Sequence, residues 1–382
     1  MIYFDNNATT KPFPEVVDVV GSCLREQYAN PSSVHQFGQS VRHRVECARQ
    51  QVAELIGATS KEIVFTSGGT ESINLAIRGA LQIHPRRRRI VTTTVEHPAT
   101  LRVVESLADQ GYEIRRVGVD GSGRIDEAEW SEAITEQTAL VSFLHANNET
   151  GVVFDVERLA SVAQDKGALV HVDAVQTAGK MPIVVSAWPV HLVSFAAHKY
   201  HGPKGAGALF VKRRTRLVPQ IVGGNQERML RGGTENVPAI VGMGVASQLV
   251  IRDMDKVADK VQGLRDEFER RVTQDVAFAR VIATQSQRLY NTSNIAFETL
   301  EAEAILILLS EAGICASAGS ACSSGSLESS HVLDAMGIKD VLSHGAVRFS
   351  FSRFNTLDEV RQVASRLPTL LARLTRLSGK GC

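Results

Sequence analysis

The sequence predicts an α/β protein: a large part built on a mostly parallel sheet, followed by a smaller α+β part. Three observations carry that expectation. Short apolar runs rich in β-branched residues recur at 90–94, 112–119, 139–145, 168–173, 190–196 and 207–212. Between several of them, at about 98–109 and 155–166, apolar residues repeat at helical spacing. After about residue 250 the chain turns to long charged helical stretches with fewer strands, so the alternation that marks a parallel sheet stops there.

Taken in order, Val41, Val45, Ala48, Val52 and Leu55 step by three and four, an amphipathic helix that Gly57 ends. Glu62–Thr66 reads as a strand, Ser67-Gly-Gly-Thr70 as a turn, and the residues through Ala76 as a helix. The apolar run 217–222 reads as a further strand. A charged helix over 244–274 leads to strands at 293–297 and 346–350, a helix at 301–312 and a closing helix at 356–376.

The chain of 382 residues is long enough for two or three domains. Its net charge of +1 gives no reason to expect nucleic acid or an anionic membrane as partner. The run Arg86–Arg89 reads as a solvated strand entrance. The N-terminus lacks the basic start and apolar stretch of a signal peptide, and no apolar run approaches the roughly 20 residues of a membrane span. A cytoplasmic protein is expected. The cysteines at 23, 47, 315, 322 and 382 are scattered and odd in number, with no Cys-x-x-Cys pair and no metal spacing. Neither a disulfide framework nor a metal site is expected. Cys23 and Cys47 fall in helical patterns and read as packing.

In an open α/β sheet, ligands bind beyond the carboxyl ends of the strands, and the residues able to do chemistry gather there. Lys199 stands at the lip of an apolar strand, in Ser194-Phe-Ala-Ala-His-Lys-Tyr-His-Gly-Pro-Lys-Gly205. Desolvation favours a neutral amine, which forms Schiff bases with carbonyls, so Lys199 is a candidate anchor for pyridoxal 5'-phosphate (PLP). A surface lysine beside a turn is the plainer reading. Gly69 and Thr70 open a helix, where free N–H groups suit a phosphate; a threonine-capped glycine turn is the alternative. Asp173 closes the strand Ala168–Asp173 and needs a partner; the pyridinium nitrogen of PLP is one. Gln176 follows three residues later, and His198 adjoins Lys199.

His97 is either a helix cap or a ring able to lie against a flat cofactor and move protons. Asn147 and Asn148 are either turn formers or amide donors. Arg353 suits a carboxylate, and Arg231 or Thr234 an anion; surface salt bridges are the plainer reading of the arginines. Cys322 lies in Ala318-Gly-Ser-Ala-Cys-Ser-Ser-Gly325, a run of small residues that cannot build a core, so its thiol is expected to be accessible and nucleophilic.

Together the segments 3–10, 30–35, 66–72, 145–149, 171–176, 198–199 and 232–236 resemble, in order, those of the cysteine desulfurases of the class V aminotransferase family. Gly319-Ser-Ala-Cys-Ser-Ser324 resembles the nucleophile loop of the NifS and IscS types. The resemblance implies fold type I: a large domain over 14–250 with a seven-stranded, mostly parallel sheet. Residues 1–13 and 251–382 would form a smaller domain carrying the cysteine loop at about 316–330. It implies that Lys199 holds PLP and moves the substrate's α-proton. Gly69, Thr70 and His198 would bind the phosphate, with Thr234 reaching in from the second subunit of a homodimer. Asp173 would pair with the pyridine nitrogen, Gln176 and Asn148 would address the phenolic oxygen or the substrate, and His97 would stack on the ring. Arg353 would hold the carboxylate of L-cysteine. Cys322 would take the sulfur as a persulfide, releasing L-alanine. No metal is implied.

Ala196 stands where many relatives carry a serine that donates to the phosphate, which implies one bond fewer to PLP. The sulfur acceptor stays open among iron–sulfur scaffolds, tRNA-thiolation proteins and a nitrogenase-linked pathway. Rival readings are a PLP-dependent aminotransferase or selenocysteine lyase on the same fold, and a non-catalytic sulfur-relay or scaffold protein.

Overall fold

The structure is a computed structural model that describes residues 1–319 and 330–377. Its centre is a seven-stranded sheet with the order Ile63–Thr66, Gly207–Val211, Leu192–Ala196, Leu169–Asp173, Thr138–Leu144, Arg89–Thr93 and Glu113–Val117. Gly207–Val211 runs antiparallel to both neighbours and every other pairing is parallel. Side chains on a strand alternate between faces, and both faces are buried in the strands inside the edge strand Glu113–Val117, which is itself largely exposed. Val64, Ile90, Leu140 and Leu192 enter one core, beneath the helices Gly69–Leu81 and Pro98–Ala108. Their neighbours Phe65, Val91, Val141 and Val193 enter the other, with the helices Gln36–Leu55 and Val237–Asp275.

A four-stranded antiparallel sheet follows, ordered Ser317–Ala318, Ala346–Ser350, Thr292–Phe297 and Ala279–Val281. Its core is aromatic. Phe268 lies 4.8 Å from Phe349 and 5.9 Å from Phe4, ring centre to ring centre. Phe4 arrives from the N-terminus because the strand Ile2–Tyr3 pairs in parallel with Ile314–Cys315. The helix Val237–Asp275 serves both cores: Ile240, Met243 and Val250 face the large one, and Val261, Phe268 and Val272 the aromatic one. By length and composition it is apolar enough to cross a membrane, the one such helix among the described residues, but its apolar face is spent on these cores.

Most elements match the sequence expectation to within a few residues. The helix expected over 244–274 begins at Val237 instead, where Asn236 accepts from Ala239 N. The run 217–222 forms no strand. Val218 N donates to Gly79 O on the neighbouring helix, and Pro219 has no N–H to give a ladder. Cys23 is buried, as its pattern suggested, whereas Cys47 is exposed, with its thiol 3.5 Å from His43. The serine-rich loop around Cys322 and the terminal 378–382, with Cys382, lie outside the described residues.

One buried ion pair ties a loop to the sheet. Glu227, Arg228 and Met229 all have positive φ, at 45°, 56° and 63°. Left-handed backbone costs roughly 1–2 kcal/mol per non-glycine residue, so something must hold it. Arg49 donates to both Glu227 oxygens, at 2.6 and 2.8 Å, and Glu227 also accepts from Phe65 N at 2.8 Å. The loop is thereby fixed to the strand that leads into Ser67–Thr70. Removing one member of a buried pair leaves the other charge uncompensated, so Glu227→Ala is expected to destabilise by about 3–5 kcal/mol, read from the urea midpoint.

Candidate active site

The carboxyl ends of five strands open onto one cavity of about 200 Å³. Eight of the residues singled out from the sequence line it: Gly69, Thr70, His97, Asn148, Asp173, Gln176, His198 and Lys199. The floor is made by strand ends, because a strand buried on both faces can show polar atoms only where it stops.

Asp173 ends its strand with its side chain buried, and its Oδ1 accepts from Val175 N at 2.9 Å. Burial pushes its carboxyl up to about 6, against the pull of the Val175 bond and of Lys199. Lys199 closes the single turn Ala197–Lys199 that follows Leu192–Ala196. Its Nζ donates to the main-chain oxygens of Asn7 at 2.6 Å and Ala8 at 2.9 Å.

His97 caps the helix Pro98–Ala108, its Nδ1 accepting from Ala99 N at 3.1 Å, while the ring lines the cavity. The cap expected of His97 is therefore present, and its ring is one of the cavity walls. Burial, with the charges of Lys199, His331 and Arg348, brings His97 down to about 4. Burial and Lys199 do the same to His198, whose Nδ1 meets Thr9 Oγ1 at 3.2 Å. Both rings are neutral near pH 7.

The paired asparagines divide their work. Asn147 Oδ1 accepts from Glu149 N and Thr150 N, each at 2.9 Å, which makes the turn. Asn148 lines the cavity. The helix Gly69–Leu81 has a glycine at its N-cap and no side-chain cap, so its first N–H groups are left for a ligand. A Cβ on Gly69 would come within 2.8 Å of Val175 Cγ2, so only glycine fits there.

Arg353 and Thr234 lie apart from this cavity. Arg353 lines an adjoining pocket that shares Lys199 with it and adds Asn6, Lys180 and Tyr290. Its Nη1 lies 3.5 Å from Asp253, and its Nε has no partner among the described residues. Thr234 sits in a separate groove with Ser67, Gly205 and Arg231. Arg231 is taken by Glu71, Nε to Oε1 at 2.9 Å, so in this chain it is an ion-pair residue. Cys322 lies outside the described residues, but both flanks of its loop meet Glu149. Ser330 Oγ donates to Glu149 Oε2 at 2.5 Å, and a Cβ on Gly319 would collide with the same oxygen.

Several polar residues around the site were not foreseen: Asn7, Glu96, Glu149, Lys180 and Arg348. Burial pushes Glu96 up to about 8, helped by Asp173, so it carries its proton near pH 7. Arg348 bridges Asp5 at 2.9 Å and Asn148 O at 3.0 Å. Lys180 stands four residues after Gln176, in the turns that follow the strand Leu169–Asp173.

The donor set fits PLP: an uncapped helix start, a buried carboxylate at the cavity floor and a lysine at its lip. Asp173 yields a sign for pH. As pH rises past its ordinary value of 3.8, the unfolded chain loses this proton first, while the folded protein keeps it to about 6. Stability falls across that window, and the penalty is complete above it. In protein freed of any cofactor, Asp173→Asn is expected to raise stability at pH 7.5 by at most on the order of 3 kcal/mol, and to change nothing below about pH 4. Urea denaturation at the two pH values checks this.

The chain matches the family model for class V aminotransferases over residues 2–363. It is 48% identical over 378 residues to a cysteine desulfurase of Enterobacter agglomerans, covering 99% of this chain and 94% of that protein. It is 45% identical over 378 residues to the cysteine desulfurase NifS of Azotobacter vinelandii, with the same coverage of both chains. Among solved structures, a NifS-like protein superposes with a TM-score of 0.92 at 36% identity, over 98% of this chain and 100% of that one. SspA in complex with cysteine superposes with a TM-score of 0.82 at 31% identity, over 93% and 100%. A seven-stranded sheet with this cavity at its carboxyl edge, and likeness along the whole chain, place the protein among the cysteine desulfurases of the class V aminotransferase family, on the fold of type I PLP-dependent enzymes.

Proposed function

We infer that the protein is a PLP-dependent cysteine desulfurase. L-cysteine and the thiol of Cys322 give L-alanine and a persulfide on Cys322, and the terminal sulfur then passes to an acceptor. The stoichiometry balances without a further oxidant or reductant: the C–S bond of the substrate breaks, an S–S bond forms, and the thiol's proton ends on alanine. One observation carries the reading: Lys199, Asp173, His97 and Gly69–Thr70 meet in one cavity, in a family whose curated relatives are named for this activity.

When bound, PLP supplies an electron sink for charge at the substrate's α-carbon. The residues divide the remaining tasks. Gly69, Thr70 and neutral His198 would hold the phosphate, with Thr234 of the second subunit of a homodimer; its place in an outer groove, away from this chain's own cavity, supports that reading. Ala196 lines the cavity with a methyl group and offers the phosphate no hydroxyl. Asp173 would keep the ring nitrogen protonated, since a cation beside it relieves the cost of its buried charge. His97 would cover the ring, and Gln176 would donate to the phenolic oxygen. Asn148 would donate to that oxygen or to the substrate. Lys199 would anchor PLP and move the proton at the substrate's α-carbon. Arg353 would take the substrate carboxylate; its place in the pocket that shares Lys199 supports that reading. Cytoplasmic location, and an acceptor in iron–sulfur cluster assembly or tRNA thiolation, complete the proposal.

Sulfide and alanine released from L-cysteine with a thiol reductant test it directly. Wild type is expected to form alanine, and none would overturn the reading. Cys322→Ser is expected to keep the cofactor's visible absorbance and to lose desulfurase turnover by several orders of magnitude. Undiminished turnover would remove Cys322 from its role. Arg353→Gln is expected to raise KM for L-cysteine by roughly 10- to 150-fold, the loss of a charged hydrogen bond worth about 1.5–3 kcal/mol.

A further inference from the structure

Lys180 is a lysine where lysines are seldom found. Its side chain is 6% exposed, and its Nζ lies 2.9 Å from Gln176 Oε1 and 3.2 Å from Asn7 Oδ1. Both acceptors are neutral amides. The charges acting on it, from Lys199 and Arg348, are positive, and with burial they push its amine well below the ordinary lysine value. His198 and His201 also lie within its electrostatic reach. An amine placed there costs stability, and packing alone would be served better by methionine or leucine.

What the amine provides is direction. As an ammonium Lys180 carries three donors and no acceptor, and as a neutral amine it still has two N–H groups, enough to donate to both amide oxygens that face it. For Gln176 this sends Nε2 the other way, where one N–H meets Asn7 O at 3.0 Å. The second N–H is left for the cavity that Gln176 lines. For Asn7 the consequence is similar. Oδ1 accepts from Lys180 and from Asn291 Nδ2 at 2.9 Å, and Nδ2 donates to Thr292 Oγ1 at 2.9 Å and Asn148 O at 3.2 Å. The main-chain oxygen of Asn7 also accepts from Lys199 at 2.6 Å. One buried amine thus sets the sense of two amides, one of which lines the cavity while the other's backbone receives Lys199.

We propose that Lys180 is a positioning residue for the cofactor: by holding Gln176 Oε1 it keeps a donor, rather than an acceptor, turned to the phenolic oxygen of PLP. This rests on the role given to Gln176 above. Without Lys180 only the bond from Nε2 to Asn7 O resists a half turn of the carboxamide that would offer its oxygen to an oxygen.

The test is a double-mutant cycle on the purified holoenzyme, read by the pH titration of the cofactor's visible absorbance rather than by turnover. Gln176→Ala is expected to raise the apparent pKa of the Schiff-base nitrogen by about one unit, tenfold in the proton equilibrium. Lys180→Met is expected to shift it in the same direction, the double variant no further than the larger single shift, and Lys180→Arg to stay near wild type. A charge effect of Lys180 alone would instead add in full to that of Gln176→Ala. Full additivity, or a wild-type titration for Lys180→Met, overturns the proposal and leaves Gln176's role standing. No shift in Gln176→Ala overturns the role of Gln176 and the proposal with it. If Lys180→Met does not fold, Lys180→Gln takes its place in the cycle. Its amide is a shorter donor, so a partial, non-additive shift is expected, and additivity again overturns the proposal.

Discussion

Burial of the large sheet on both faces is the constraint from which the rest follows. Strands such as Thr138–Leu144 are buried at every position, so they have no wet face on which to place chemistry. Polar side chains inside such strands must be satisfied by one another, and only where strands stop can they face a ligand. Asp173, Lys199, Asn148 and His97 each lie at such a point or in the turn just beyond it, which is why residues as far apart in the chain as Gly69 and Lys199 share one cavity. The same burial sets their protonation. It raises Asp173 and Glu96 and lowers His97 and His198, so the site holds its acids more neutral and its bases less charged than water would.

A second layer of polar contacts makes the cavity definite. His171, buried between strands, meets Ser142 Oγ and Ser194 Oγ at 2.8 Å each and so joins the strand ending at Asp173 to both neighbours. Asn7 joins the N-terminal segment to Lys180, Asn291, Thr292, Asn148 and Lys199. Networks of this kind are costly if half satisfied and rigidifying if complete, so they suit residues that must hold a ligand to within a fraction of an ångström.

Much of this was legible in the sequence, because strand ends and helix starts are local signals. The order strand–glycine turn–helix located Gly69 and Thr70, and an aspartate closing an apolar strand located Asp173. Residues whose task is defined by distant partners were not legible. Asn7 meets Lys180 and Thr292, 173 and 285 positions away, and nothing in its neighbours announces that. Glu149 follows the paired asparagines, and its partners Ser330 and Gly319 stand far along the chain, so its neighbours give no sign of its task. The run 217–222 misled for the opposite reason: its apolar residues look local, but they follow the surface of a helix rather than a sheet edge.

The Glu149 carboxylate has one more consequence. Gly319 is packed against it, and Cys322 is three residues further on. Ser330, on the far side of the segment that contains Cys322, donates to the same carboxylate. One side chain next to Asn148 thus holds both described flanks, Gly319 and Ser330, at a single point. A substitution at Glu149 would therefore be felt at both flanks at once, one of them 181 positions away in the chain.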